Sequence, residues 1–141
     1  MDLPNRPATN GEYWLVNQML PLVPPDSMVL DIGAYRGEWT AYVLRAASGL
    51  GRSLRLIAFE PSTATRSMLV SRFAQEQRVE VLGTALSAEN GYAFFYANCA
   101  GSGTSSLHPV SGGQQERVPV TTWTTSSVSA RCVKLPLPRS M

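Results

Sequence analysis

Histidine and cysteine are scarce in this 141-residue chain, which contains one histidine and two cysteines. Cys99 and Cys132 are far apart and form no C-x-x-C pattern, so the sequence indicates neither a zinc site nor a disulfide framework. We interpret both as ordinary thiols and expect no metal site. His108 lies in a stretch rich in glycine and serine, where a lone histidine is predicted to be solvated rather than to act as a base.

Excess charge and long apolar runs are also lacking. The formal net charge is only +2 at pH 7, and no block of basic residues alternates with aromatic ones, so a nucleic-acid-binding stripe is not expected. No stretch approaches the roughly 18 consecutive apolar residues of a membrane span, and the chain starts without a signal-like segment. We therefore expect a cytoplasmic protein with no membrane partner. The length suits one small domain but is short for a complete doubly wound domain with a substrate site.

What the sequence does contain is a strand, turn, helix, strand pattern typical of a nucleotide-binding unit. Residues 28–32 are almost continuously apolar and predict a buried parallel strand. A turn with two glycines follows at 33–37, and from Glu38 apolar residues recur at helical spacing up to Ala47, before Gly49 and Gly51 end the element. A second apolar strand, 54–59, leads into Glu60. This order predicts an α/β, Rossmann-like fold with a parallel sheet and flanking helices.

The glycine spacing favours S-adenosylmethionine over NAD as the ligand. Dinucleotide-binding turns usually read G-x-G-x-x-G, whereas here Asp31 takes the place of the first glycine and three residues separate Gly33 from Gly37. Gly33 can adopt a positive φ and let the backbone approach a ligand, and Gly37 lets the next helix start tightly against the sheet. The N-terminus of that helix suits the carboxylate of a methionine moiety. The Asp31 carboxylate suits its ammonium or sulfonium group but not a pyrophosphate.

Glu60 supplies the second half of the predicted site. Its position directly after a strand places the carboxylate at the edge of the sheet, where the two hydroxyls of a ribose can donate hydrogen bonds to it. Two alternatives to a methyltransferase stay open: a cofactor-binding module without catalysis, and a fragment of an NAD-dependent oxidoreductase. Glu89 and Glu116 are expected on the solvated surface, so the residues nominate no catalytic base.

These segments resemble the FkbM family of methyltransferases. The resemblance covers roughly residues 12–122 and is carried by residues 29–40, 58–61, 84–87, 90–91 and 101–107. It implies a class I methyltransferase fold with S-adenosylmethionine as the methyl donor. The acceptor that it implies is a hydroxyl on a small molecule or a glycan.

The same resemblance assigns roles to individual residues. It implies that Asp31, Gly33, Ala34 and Gly37 line the methionine end of the cofactor and that Glu60 holds the ribose. The adenine would be approached by three further residues, Thr84, Ala85 and Leu86.

Three regions are expected along the chain: a helical lead-in at 1–27, a partial class I methyltransferase domain that binds the cofactor at 28–122, and an irregular, non-native tail at 123–141. Within the second region, a helix is predicted near 62–75, followed by a strand at 79–82.

Two further expectations concern the same region. The helix near 62–75 should hold Arg66 and Arg72 in water. The aromatic stretch 92–96 follows an Asn-Gly turn signal and predicts an antiparallel excursion.

The end of the chain departs from the family pattern. After residues 117–122 the family continues with Leu-Asp and a later Lys-Ile-Asp-x-Glu-Gly type strand motif, whereas Trp123 starts a segment with neither strand nor helix period. A frameshift near Trp123 explains this, because shifted codons can read Leu-Asp-Asp-Phe-Val. We therefore expect a truncated fold in which residues 28–32 present an unpaired apolar edge. Such an edge would make the isolated chain poorly soluble or only partly folded.

Overall fold

The computed structural model describes residues 9–97, 105–106 and 114–123. Expectations for residues 1–8, Cys99, His108, Cys132 and residues 124–141 lie outside this part of the chain. The helices are α1 (Glu12–Met19), α2 (Glu38–Gly49) and α3 (Thr63–Arg72), with a 3-10 turn at Leu20–Leu22. The strands are β1 (Ser27–Ile32), β2 (Leu54–Phe59), β3 (Val79–Leu82), β4 (Ala85–Leu86), β5 (Gly91–Ala97), β6 (Ser105–Ser106) and β7 (Gln114–Thr121).

The first sheet consists of three parallel strands in the order β1-β2-β3. Helix α2 connects β1 to β2, and helix α3 connects β2 to β3. Ile32 at the end of β1 and Leu82 at the end of β3 are both paired with Phe59 of β2, so the carboxyl ends of all three strands meet at one edge. The predicted α/β class, with a parallel sheet flanked by helices, is confirmed. The arrangement is compatible with a Rossmann-like fold.

The core forms where the helices cover β2. Leu54 and Leu56 of β2 are buried in one cluster with Val43 of α2, and the same cluster includes buried side chains of α1 and of the 3-10 turn. Ala58 packs in a second cluster with Leu69 of α3. Burying a side chain of this size stabilises the fold by about 1.5 to 3 kcal/mol, so β2 is the strand that contributes most to holding the helices on the sheet.

Strand β1 is less buried than its sequence predicts. All residues of β2 except Arg55 are buried, whereas Met28, Val29 and Leu30 of β1 are only half-buried and Ile32 is 64% exposed. The expectation of a buried strand at 28–32 is therefore wrong. The reason is topological: β2 lies between two strands, but in the described part of the chain β1 pairs with β2 alone and is an edge of the sheet.

The second sheet has four strands in the order β4-β7-β5-β6. The predicted antiparallel excursion is confirmed, because β5 pairs antiparallel with both β7 and β6. Side chains alternate between its two faces: Phe95 and Val118 are buried, whereas Tyr92 and Phe94 are exposed. Among the residues described, no helix has the length and apolar character to cross a membrane.

Glu116 links the second sheet to the first. Both oxygens of its carboxylate accept a hydrogen bond from the backbone N–H of Thr63 at 3.2 Å, and the Thr63 hydroxyl donates to one of them. Thr63 is the first residue of α3, where unpaired N–H groups and the helix dipole favour an anion. Glu116 was expected on the solvated surface; it is half-buried and, in addition, bound to the start of α3.

Candidate functional site

The glycine turn, residues 33–37, connects the end of β1 to the start of α2. Gly33 has a φ of +81° and Gly37 has a φ of +73°, both in the left-handed region that glycine adopts without a steric penalty. The backbone N–H groups of Gly33 and Ala34 both donate to the carbonyl oxygen of Phe59, at 2.9 and 3.0 Å. The turn is therefore fixed against the carboxyl end of β2, next to Glu60.

Asp31 lies beneath this turn and is only 9% exposed. The hydroxyl of Thr40, in the first turn of α2, donates a hydrogen bond to the Asp31 carboxylate. Burial raises the pKa of Asp31, the hydrogen bonds from the hydroxyl and backbone of Thr40 lower it, and the charge of Glu12 raises it. The carboxylate of Asp31 therefore binds donors at the N-terminus of α2, where the carboxylate of the ligand was expected to bind.

Glu60 is 5% exposed and binds two separate backbone segments. One carboxylate oxygen accepts the N–H of Tyr35 in the glycine turn at 2.9 Å, and the other accepts the N–H of Ser62 ahead of α3 at 3.0 Å. Each carboxylate oxygen can accept a second hydrogen bond, so the group retains capacity for a ligand.

The surroundings of Glu60 also affect its ionisation. Burial raises the pKa of Glu60, and the two backbone hydrogen bonds and the charge of Arg66 lower it. The charge of Asp31 raises the pKa of Glu60 as well. The two predicted acids are therefore close enough to interact, and the structure brings both to the same turn.

Gly37 has a different packing role from the one expected. A Cβ at this position would lie 2.5 Å from Cε2 of Phe73 and 2.6 Å from Cδ1 of Leu69, both on the α3 side. Gly37 therefore allows close packing of the turn on α3 rather than on the sheet. Ala34 is 6% exposed and packs with Leu69 and Ala58. A Cβ at Gly33, in contrast, would meet nothing within 4 Å.

Two contacts of the turn have no signal in the sequence. Tyr35 has a φ of +48°, which is uncommon for a residue other than glycine, and its N–H is bound by Glu60. The guanidinium of Arg72 in α3 donates to the carbonyl oxygen of Arg36 at 2.6 Å. Arg72 is exposed as expected, but it also binds the glycine turn, at the residue after the one that Glu60 binds.

The residues assigned to adenine start the second sheet. Ala85 and Leu86 form β4 and pair with Val120 and Thr121 of β7. The Thr84 hydroxyl donates to the carbonyl oxygen of Pro119 at 2.9 Å. Residues 84–86 therefore bind β7 of the second sheet, although in the chain they come directly after β3 of the first sheet.

The end of β3 is close to Glu60. The backbone N–H of Glu60 donates to the carbonyl oxygen of Leu82 at 2.9 Å. The segment that follows Leu82 therefore leaves the sheet beside Glu60.

Comparison with known proteins adds little to this picture. No protein-family model matches the chain. Over 79 residues, or 53% of the chain, it is 40% identical to the AMB antimetabolite synthetase AmbE of Pseudomonas aeruginosa. The chain spans about 3% of the length of that relative, so the likeness is to one short segment of a much longer protein.

Proposed function

We propose that this chain binds S-adenosylmethionine and is the cofactor-binding part of an FkbM-type, class I methyltransferase that methylates a hydroxyl of a small molecule or a glycan. The observation that carries the proposal is the hydrogen bond between the Glu60 carboxylate and the N–H of Tyr35. This hydrogen bond places Glu60, which would hold a ribose, directly beside the glycine turn, which would hold the methionine end. A ligand that contains a ribose and a methionine moiety can therefore contact Glu60 and the turn at the same time.

The residues present fit this cofactor. The space next to Gly33 is open, so the backbone of the turn is accessible to a ligand. Glu60 can accept hydrogen bonds from ribose hydroxyls, and the anionic form of Asp31 attracts a nearby ammonium or sulfonium group. Burial is the largest cause of the raised pKa of both acids, and the charge of Asp31 adds to the raised pKa of Glu60. A cationic group between them would lower both pKa values.

When bound, S-adenosylmethionine supplies an activated methyl group for transfer to an oxygen. The contribution of this chain would be to orient the donor between the glycine turn and Glu60. Asp31 and Glu60 are buried and hydrogen-bonded within the chain, so neither is placed to accept the proton of an acceptor hydroxyl. This observation favours a second candidate function, a cofactor-binding module without catalysis.

An NAD-dependent oxidoreductase fragment is the less favoured alternative. In dinucleotide-binding folds the pyrophosphate lies at the N-terminus of the first helix after the turn. Here the Asp31 carboxylate faces the first turn of α2 through Thr40, and it would repel that pyrophosphate.

The likeness to a segment of a synthetase named for an antimetabolite makes small molecules the first acceptors to test.

Isothermal titration calorimetry with S-adenosylmethionine, S-adenosylhomocysteine and NAD tests the proposal. We expect both sulfur compounds to bind and NAD not to bind. Glu60→Ala should weaken binding by at least about 10-fold, since hydrogen bonds to a charged group are worth roughly 1.5 to 3 kcal/mol each. Glu89→Ala, an exposed carboxylate, is the matched control. Preferential binding of NAD, or an unchanged affinity in Glu60→Ala, would refute the proposal.

Catalysis is separated from binding by a second measurement. Incubation with labelled S-adenosylmethionine and a panel of hydroxylated small molecules and oligosaccharides should give labelled product if the chain is an active enzyme. Binding of the cofactor with no methylated product would support the module without catalysis.

A further inference from the structure

Asp31 caps helix α2, although it belongs to a different element. The residue before the helix, Gly37, has no side chain, and no side chain at that position caps α2. The Asp31 carboxylate, on β1, accepts hydrogen bonds from the hydroxyl and the backbone of Thr40 instead. A cap normally accepts an N–H of the second or third helical residue, and Thr40 is the third. The end of β1 and the start of α2 are therefore joined through the pair Asp31 and Thr40.

The hydroxyl of Thr40 is committed to Asp31. Thr40 is fully buried, so its hydroxyl cannot be satisfied by bulk water. A helical threonine commonly donates to the carbonyl oxygen four residues earlier, which here belongs to Arg36. That carbonyl accepts the guanidinium of Arg72, whereas the Thr40 hydroxyl donates to Asp31. Valine would fill the same space without a donor, so the specific contribution of Thr40 is its hydroxyl.

This contribution matters because Asp31 is only 9% exposed. A rotation of its side chain would decide whether a carboxylate oxygen can reach a ligand at the glycine turn. Burial raises the pKa of Asp31, and the hydrogen bonds from Thr40 lower it. The charged groups around Asp31 oppose its ionisation, since Glu12 of α1 and Glu60 after β2 are both acids that interact with it.

A cation near Glu60 does not compensate for these acids at Asp31. Burial raises the pKa of Glu60 and the charge of Arg66 lowers it, but Arg66 does not shift the pKa of Asp31. Arg66 is half-buried rather than in water as expected, and a Cβ at Gly83 would be 2.2 Å from its Nη1. Among the described residues, Thr40 is therefore the one whose contacts favour the ionised form of Asp31.

We infer that Thr40 is a positioning residue of the cofactor site, whose hydroxyl holds the Asp31 carboxylate in the orientation that attracts the cationic groups of S-adenosylmethionine. The inference rests on the proposed function. Thr40 does not need to touch the cofactor, because it acts through Asp31. Without the hydroxyl, Asp31 would take up a proton at higher pH and could turn away from the ligand. Either change would weaken its attraction for an ammonium or sulfonium group.

Calorimetry of the full chain with S-adenosylmethionine, between about pH 4 and 7, tests the inference. The ammonium of the ligand stays charged over this range. The wild-type affinity should fall towards low pH as Asp31 takes up its proton. In Thr40→Val this fall should begin about one pH unit higher, because the ionised acid loses a hydrogen bond that favours it. Thr40→Ser, which keeps the hydroxyl, should follow the wild-type curve.

Ser27→Ala is the matched control for loss of a buried hydroxyl. Ser27 is buried at the start of β1, and its hydroxyl donates to the carbonyl oxygen of Pro24 at 2.8 Å. Its loss should lower stability without moving the pH profile of binding. A merely structural role of Thr40 would give Thr40→Val the same behaviour as Ser27→Ala.

A second measurement uses the free chain. Thr40→Val should enlarge the loss of stability in urea as pH rises above 3.8, since the pKa of Asp31 in the folded chain is raised further. In an Asp31→Asn background the same substitution should no longer change the pH dependence. Where Thr40→Val does not fold, Thr40→Cys replaces it, and its weak S–H donor should give the same shifts to a smaller extent.

The outcomes separate this inference from the proposed function. If the wild-type chain binds S-adenosylmethionine and the pH profiles of Thr40→Val and wild type coincide, the inference is overturned and the proposed function stands. A profile of Thr40→Ser that moves as far as that of Thr40→Val would also overturn it, because the hydroxyl would then not be the cause. If the wild-type chain does not bind S-adenosylmethionine, the proposed function fails and this inference fails with it.

Discussion

Replacing Gly37 with alanine tests how tightly the glycine turn packs on α3. The left-handed φ of +73° costs an alanine about 1 to 2 kcal/mol. The new Cβ would also overlap Leu69 and Phe73 at 2.6 and 2.5 Å, and overpacking of this kind costs roughly 1 to 3 kcal/mol. Leu69 is fully buried and cannot move away freely. We expect Gly37→Ala to lower the free energy of unfolding by about 2 to 4 kcal/mol, which is a large share of the stability of a small domain.

Two other glycines separate the backbone and packing contributions. Gly33 has a similar φ of +81° but open space at the Cβ position, so Gly33→Ala should cost only the backbone part, about 1 kcal/mol. Gly49 ends α2 without a left-handed φ and with no atom near its Cβ position. Gly49→Ala should therefore stabilise the fold by roughly 0.5 kcal/mol.

Urea denaturation followed by far-ultraviolet circular dichroism, at low micromolar protein concentration, measures all three variants. The expected order of stability is Gly49→Ala, wild type, Gly33→Ala and then Gly37→Ala. Equal losses in Gly33→Ala and Gly37→Ala would show that the contact with α3 contributes nothing, and the packing argument would be refuted.

Three more perturbations address the acids and the sheet edge. Burial raises the pKa of Asp31 above its ordinary 3.8, so the folded chain binds this proton more tightly than the unfolded chain does, and stability falls as pH rises through the window above 3.8. Asp31→Asn should make that slope shallower in urea midpoints measured between about pH 3 and 7, with a remainder from Glu60, whose pKa is also raised by burial; parallel curves for the two proteins would contradict this. Glu116→Gln should lower stability by about 1 kcal/mol by removing the charge from the start of α3 at Thr63, whereas Glu89→Gln should change nothing. The isolated chain is expected to aggregate through the edge of β1, so Ile32→Lys should increase the monomer fraction in size-exclusion chromatography, and an unchanged fraction would argue against that edge as the cause.

The elements of the first sheet could be predicted because their signals are local. The helix predicted from Glu38 to just before Gly49 agrees with α2 to within one residue, and the short apolar strand predicted at 79–82 agrees with β3. The position of Glu60 was also predictable, since an acid directly after a strand must lie at the end of the sheet. What it binds there was not, because the N–H of Tyr35 comes from another segment.

Features that depend on distant segments were not predictable. The apolar composition of residues 28–32 carries no information about how many strands flank β1. Its position at an edge was expected only from the departure of the chain from the family pattern after residue 122, and the described part of the chain agrees with that expectation. Glu116 and Arg66 are ordinary charged residues by sequence. Their partners are Thr63 for the first and Gly83 for the second, and no periodic pattern links either residue to its partner.

The two sheets also differ in how far apart along the chain their partners lie. Each parallel pair of the first sheet is joined by a single helical crossover, whereas β7 must return past β5 and β6 to reach β4. Closing a short loop costs less entropy than closing a long one, so nearby partners associate sooner. During synthesis on the ribosome, the parallel strands and the turn between β1 and α2 can therefore assemble first, and α3 gains its anchor on β7 only at the last stage of folding.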